Sequence, residues 1–357
     1  MRTITLEQLK EGLESGEPIQ NVSLHGLDLR GQKLGGAVYE NVDLSNCQMD
    51  GVVLTDAILV KCHLAGANLD NSNIEELTIH ECNLKGASFR NANAVSLQVI
   101  SSMLDDTQWQ GANLTDASFL SCELRRSRYQ NAIISDTTWL ESVMDEVDFS
   151  TVHLIKAVLV GADLTTAHLA SARFDQCVMS KVQLKGQKLD GADFRMSQMI
   201  EADLQDTSFT NALLQQCGFK GALLDRANFT NANLMQAVLI EAQANDAIFS
   251  GAKLFQALLA DASLERSQLD GACLEQVILH RARCGQANFV NANLVYADFS
   301  HADISSCRFD GIKTNRTKFH QTLRENTQFP AGASILGDDV ELAKAENWVS
   351  GKEEKKS

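Results

Sequence analysis

Large apolar residues recur at every fifth position along most of this chain. Stepping by five from Leu24 gives Leu29, Leu34, Tyr39, Leu44, Met49, Leu54 and Leu59. The series keeps one phase to Phe329, 62 positions in all, and only Ala94, Ala244, Cys284, Thr314 and Arg324 are not large and apolar. Two residues before each centre runs a second, mostly small series: Ala37, Val42, Cys47, Val52, Ala57, Cys62 and Ala67. Stretches such as GANLTDASF (111–119) and NANLVYADF (291–299) show the unit plainly. A period of five fits neither an α-helix nor a plain strand. It fits a short strand and a corner, with the small and the large residue pointing inward together. The residue between them then points outward, and the last two turn the chain.

Four such units close a square coil of 20 residues. Every twentieth residue from Leu24 is Leu44, Leu64, Leu84, Leu104, Leu124, Met144, Leu164, Leu184, Leu204 and Leu224. From Leu29 the same step meets Phe89, Trp109, Tyr129, Phe149, Phe209, Phe229, Phe249, Phe289, Phe309 and Phe329. Two ladders this different require a four-unit coil. One corner row, including Gly31, Gly51, Asn71, Asn91, Gly111, Asn131, Gly191 and Asn211, is almost all Gly or Asn, which tolerate a positive φ.

Over residues 22–329 the pattern resembles the pentapeptide-repeat family. The resemblance implies an all-β solenoid, a right-handed quadrilateral β-helix with short helical caps at both ends. About 15 coils at a strand spacing of roughly 4.8 Å would give a length on the order of 70 Å. The expected organisation is an N-terminal capping helix in 1–20, a continuous β-helix over 21–329, and a C-terminal helix with a charged tail in 330–357. Thr5 is the expected N-cap of the first helix, with Leu6, Leu9 and Leu13 on one face and Gly16 and Pro18 ending it. Pro330 stops the ladder. Asp338 or Asp339 opens the second helix, with Leu342, Ala345 and Trp348 or Val349 expected on its inner side, and SGKEEKKS (350–357) reads as a solvated tail.

Composition narrows the function. The only prolines are Pro18 and Pro330, as suits a backbone whose amides are needed for a ladder. A net charge of −15 disfavours direct nucleic-acid binding. No run approaches the roughly 20 apolar residues of a membrane span. The opening residues lack the apolar core of a signal peptide, so a cytoplasmic location is expected.

Nothing in the chain reads as a catalytic site, and no cofactor is expected. Of nine cysteines, Cys47, Cys62, Cys82, Cys122, Cys177, Cys217 and Cys307 take the small inward position, Cys284 a large inward one, and Cys273 points outward. They read as small buried hydrophobes without a disulfide or zinc pattern. All eight histidines fall outward. His280 and His320 share a row, with His301 between them in the neighbouring row, but scattered surface histidines are the expected reading and no metal site is assigned.

The outer faces are unequal. The face centred on Tyr39 carries fourteen large apolar residues at outward strand positions: Val38, Ile58, Val60, Ile100, Leu120, Leu140, Val158, Val160, Val178, Ile200, Val238, Ile240, Leu258 and Ile278. The next face back has eight, the Leu24 face four, and the Leu29 face only Ile248 and Val290. Strand propensity acts on all faces alike, so the excess marks a binding wall for another protein, hetero- or homotypic. A dimer through this wall or the C-terminal helix is one form. The opening TLEQLKEGLESGEPIQNVSLHGLDLRG and closing LGDDVELAKAENW are similar to the ends of pentapeptide-repeat proteins of bacterial type VI secretion clusters. That similarity implies an adaptor that helps load or stabilise an effector. The alternative is an acidic DNA mimic that binds and protects a type II topoisomerase, as quinolone-resistance members of the family do.

Overall fold

One repeat shows why the sequence folds as it does. In the computed structural model, which describes residues 1–353, the five amides after Val42 are all satisfied. Asp43 N–H donates to Val22 O on the preceding turn at 3.0 Å. Leu44 and Asn46 donate to His63 O and Ala65 O on the following turn, at 2.7 and 3.0 Å. Cys47 N–H closes the corner on Leu44 O at 3.2 Å. The remaining amide, that of Ser45, donates to the side chain of Asp43, Oδ1, at 3.0 Å. The Asn or Asp that so often precedes the large residue therefore caps the amide two residues on. Asp70 with Asn68, Lys85 with Asn83 and Thr230 with Asn228 repeat this.

The chain divides into two compact units, Met1–Leu184 and Lys185–Ser357. In each, residues pair in parallel with those 20 positions on, in four rows, which makes each a four-sided parallel β-solenoid. The first unit opens with β1 (Arg2–Thr3), α1 (Leu6–Ser15), β2 (Ile19–Gln20) and β3 (Val22–Ser23). There follow β4 (Val38–Glu40), β5 (Ile58–Val60), β6 (Thr78–His80), β7 (Gln98–Ile100), β8 (Ser118–Leu120) and β9 (Ile133–Ser135). It ends with β10 (Thr138–Leu140), β11 (His153–Ile155) and β12 (Arg173–Asp175). One parallel sheet runs β10-β8-β7-β6-β5-β4-β2, and a second runs β12-β11-β9. The second unit closes with β13 (Thr317–Lys318), β14 (Ile335–Leu336) and α2 (Val340–Glu353).

None of the three-residue strands β4–β12 begins with Asn or Asp. In these strands the residue after the large one also joins the ladder, whereas other repeats that lack Asn or Asp there, such as those of Val53 and Leu258, keep a single bridge. In the first sheet the corner amides then find side chains: Cys62 N–H donates to Cys82 Sγ, Cys82 N–H to Ser102 Oγ and Cys122 N–H to Ser142 Oγ.

Away from the two ends nearly all of both inward rows is buried, as the spacing predicts, while Arg324 near the last turn is exposed. In the first unit the aromatic rows stack turn on turn, Phe89 on Trp109 at 4.2 Å between ring centroids and Phe119 on Trp139 at 5.7 Å. In the second, Phe229 lies 5.2 Å from Phe209 and 4.9 Å from Phe249. The corners depart from expectation. Positive φ occurs at all four, on Lys61 (53°), Glu76 (56°), Arg126 (56°) and Tyr296 (58°) as well as on Gly and Asn. The corner amide's bond to the next turn, such as Arg126 N–H to Asp145 O at 2.9 Å, offsets the strain.

At the N-terminus Thr5 and Gln8 form a reciprocal capping box, Gly16 ends α1 at φ 71°, and Leu9 is fully buried. Ile19 pairs with Tyr39, so the large inward series begins one repeat before Leu24, and on that face one turn before Tyr39. At the other end the ladder does not stop at Pro330, because β14 pairs with β13. Asp339 caps α2, its Oδ1 accepting from Glu341 and Leu342 N–H at 3.0 Å each. Ala345 and Trp348 are exposed rather than inward, and Leu342, though exposed, lines the cleft between α2 and the coil together with Glu346. Glu346 sets that rotation through bonds to His301 and His320, each at 3.2 Å. The side chain of Val349 and the last residues of the tail, 354–357, lie outside the described residues, and α2 continues through 350–353 of the stretch read as tail.

Candidate protein-binding face

All fourteen residues of the predicted wall reach the surface. Val38, Ile58, Leu120, Val160, Val178 and Ile278 are exposed, and the other eight are half-buried. The 20-residue register sorts them into rows. In the first unit one row reads Val38, Ile58, Thr78, Gln98, Ser118, Thr138, Val158, Val178, so four polar residues interrupt it. The other contains Val60, His80 and then Ile100, Leu120 and Leu140, and the same step reaches Val160. Ile100, Leu120, Leu140 and Val160 are the longest unbroken apolar run there.

In the second unit Val238, Leu258 and Ile278 are consecutive, bounded by Gly218 and Asp298. Ile240 lies beside that run, and Ile200 is separated from it by Lys220. The wall is therefore a compact run in each unit with polar edges. Met103, Ile133, Met196 and Met235 are equally or more exposed. They occupy other faces, where Met103, Ile133 and Met196 have polar neighbours one turn away in their rows and Met235 has Phe255 alone beside it.

The acidic residues mostly serve the coil. Asp105 accepts Arg125 N–H at 3.0 Å, Asp190 accepts Thr210 N–H at 3.1 Å and Asp225 accepts Asn245 N–H at 2.9 Å. At the corners carboxylates pair with arginines one turn on. Asp106–Arg126 in the first unit, and Asp206–Arg226, Asp246–Arg266 and Asp261–Arg281 in the second, each make two bonds of 2.6–2.9 Å. In each pair the guanidinium's hydrogen bonds hold the carboxyl below its ordinary range.

The thiols do more than fill space. Cys47, Cys217 and Cys307 donate to Leu24 O, Phe194 O and Cys284 O at 2.8–2.9 Å. Burial pushes the Cys47 and Cys122 thiols up to about 11 and those of Cys217 and Cys307 up to about 12, the wrong direction for a nucleophile. Serine and threonine in the same inward row bond alike, as Ser127 does to Leu104 O and Thr317 to Leu294 O at 2.8 and 2.7 Å.

The histidines hold the one arrangement the sequence does not reveal. His320 occupies an outward position but is buried, because α2 covers it. It converges with His301 and Glu346. His280 stays apart, its Nε2 3.0 Å from Asp298 Oδ2. No helix among the described residues is long and apolar enough to cross a membrane.

A repeat model described as Pentapeptide repeats matches in eight copies, over residues 23–86 and 142–311, more than half of the chain. The chain belongs to the pentapeptide-repeat family. Similar solved structures include a pentapeptide repeat protein from the Arabidopsis thaliana thylakoid lumen, 27% identical over 26% of this chain and 66% of that one, with a TM-score of 0.26. Full-length QnrB1, a plasmid-mediated fluoroquinolone resistance protein, is 16% identical over 82% of this chain and 93% of its own, with a TM-score of 0.22. HetL, a pentapeptide repeat protein of the cyanobacterium Nostoc involved in heterocyst differentiation regulation, is 18% identical over 93% and 99%, with a TM-score of 0.16. At these scores the overlaps add nothing to the family assignment, which rests on the repeat model. No curated protein matches the chain.

Proposed function

We propose that this pentapeptide-repeat protein is a non-catalytic, protein-binding scaffold that engages its partner through the aliphatic face. The observation that carries the reading is the placement of Ile100, Leu120, Leu140 and Val160 in one unbroken surface row, and of Val238, Leu258 and Ile278 in another. Contiguous apolar surface of this kind is where soluble proteins bind one another, and truncation or charge there removes binding. Its finer form is an adaptor that helps load or stabilise an effector of a bacterial type VI secretion system, supported by the similarity of the two end segments. The partner is another protein, or a second copy of the chain, met in the cytoplasm.

Mimicry of DNA is the weaker reading. A duplex presents uncompensated phosphates, whereas the corner carboxylates Asp106, Asp206, Asp246 and Asp261 are each neutralised by an arginine.

Light scattering and pull-down from the native host test the proposal, with wild type compared against a variant carrying Val60→Lys, Leu120→Lys, Val160→Lys and Ile240→Lys. Wild type is expected to dimerise or retain a partner that the folded variant loses. If the variant keeps the same mass and partners, the wall is only strand propensity. Type II topoisomerase among the shared partners would favour DNA mimicry.

A further inference from the structure

We propose that the junction between the last turns of the second unit and α2 binds a divalent cation of the zinc class through His301, His320 and Glu346. The site is independent of the aliphatic face. His301 Nε2 lies 3.2 Å from Glu346 Oε1, and His320 Nε2 lies 3.2 Å from Glu346 Oε2. One ligand atom from each of the three residues falls within 4.8 Å of the others. Imidazole nitrogen and carboxylate oxygen sit roughly 2.0–2.2 Å from zinc, so tetrahedral neighbours are about 3.3 Å apart. Each imidazole nitrogen lies at about that edge length from one oxygen of Glu346, His301 from Oε1 and His320 from Oε2, so closing the set on one ion takes only a small shift of the carboxylate. Two imidazoles and one carboxylate favour zinc or a similar borderline metal over magnesium or calcium, which take oxygen ligands.

The ligands come from three separate places. His301 stands at a corner with φ 62°, His320 follows the inward Phe319 on the next turn, and Glu346 projects from α2. The His320 side chain is only 4% exposed, and the two rings are 5.4 Å apart at 84°. This is a built cluster rather than surface scatter. The nearby cations are neutralised, Lys318 by Asp298 at 3.2 Å and Arg281 by Asp261 at 2.7 Å. A cleft of ≈ 390 Å³, also lined by His280, Asp298 and Ser300, leaves one side open for water as a fourth ligand.

One contact sets the cost of binding. Asp339 N–H donates to His320 Nδ1 at 3.0 Å, which in the neutral ring leaves the proton on Nε2. Coordination through Nε2 displaces that proton, moves it to Nδ1 and releases the Asp339 amide at the start of α2. Metal capture is thereby coupled to a rearrangement of the helix N-terminus, and is weaker than at a preorganised structural zinc site.

The test uses the tag-free full chain, titrated with zinc against a chromophoric competitor and with cobalt(II) for its visible spectrum. The proposal expects one zinc per chain, tetrahedral cobalt bands and, on zinc addition, slower hydrogen exchange around Glu346 with faster exchange of the Asp339 amide. It also expects a loss of at least about tenfold in zinc affinity for His301→Ala and for Glu346→Gln. Far-UV circular dichroism checks that both variants, altered at partly exposed positions, keep the fold. Failure of wild type to bind zinc stoichiometrically would overturn it, as would unchanged affinity in both variants or equal binding of magnesium. Faster α2 exchange in the variants without zinc binding in wild type would make the cluster a hydrogen-bonded clasp only.

Discussion

At the scale of single residues, the repeat is a solution to amide accounting. Asn or Asp before the large residue satisfies the amide two positions on. Hydroxyls and thiols in the small inward row take carbonyls that no ladder uses. Thr107 does both, donating to Leu104 O at 2.8 Å and accepting from the buried Trp109 indole N–H at 3.0 Å. Thr107→Val leaves that indole without an acceptor, and chemical denaturation should show a loss of about 1–3 kcal/mol; a change within error would mean that the bond contributes nothing. Asp298 gives a pH prediction. Burial opposes its ionised form, but the Ser300 hydroxyl, His280 and the Ser300 amide outweigh burial and hold the carboxyl at about 2, below its ordinary 3.8. A depressed folded value stabilises above 3.8 and loses that stabilisation as pH falls towards 2. Acid titration of Asp298→Asn should therefore show a smaller stability loss over that window than wild type, and identical curves would contradict the assignment. Inward and outward positions were legible from spacing alone. The thiol bonds were not, because a cysteine looks like a small hydrophobe until the corner carbonyl of the preceding turn is placed beside it.

At the scale of elements, local signals were readable and distant ones were not. Thr5, Gln8 and Gly16 carry the ends of α1 within a few residues of sequence. Thr5→Ala is expected to cost about 1 kcal/mol and to speed amide exchange in α1; unchanged exchange would show that packing of Leu9 alone holds the helix. The end of α2 was misread for a physical reason. Its apolar residues suggested Leu342, Ala345 and Trp348 as the inner side, yet only Leu342 lies on the coil side, because Glu346 turns the helix through partners 45 and 26 residues away. Long-range hydrogen bonds leave no periodic trace. The extended strands of the first unit were half-legible: Val and Ile marked β4 and β5, but Gln98, Ser118 and Thr138 open strands just as well. Those positions lack an Asx cap, but so do Val53 and Leu258, which form single bridges, so no one residue type marks the longer strands.

At the scale of the whole molecule, the pentapeptide-repeat solenoid followed from the period of five and the closure at twenty, because every turn repeats the same local rule. The partner did not follow, since surface residues are free of that rule. The aliphatic face was found in the sequence as fourteen residues of equal standing. The register divides them into runs around Leu120 and Leu258 and sets polar breaks at Thr78, Gln98, Ser118 and Thr138. That refinement makes binding testable at single positions. A photoreactive side chain placed at Leu120, with one at Gln108 on the polar Leu29 face as control, reports contact directly in the native host. The account expects one discrete crosslinked species, or a crosslinked dimer, from position 120 and none from position 108. Equal crosslinking from both positions, or none from 120 while the partner stays bound, would contradict it.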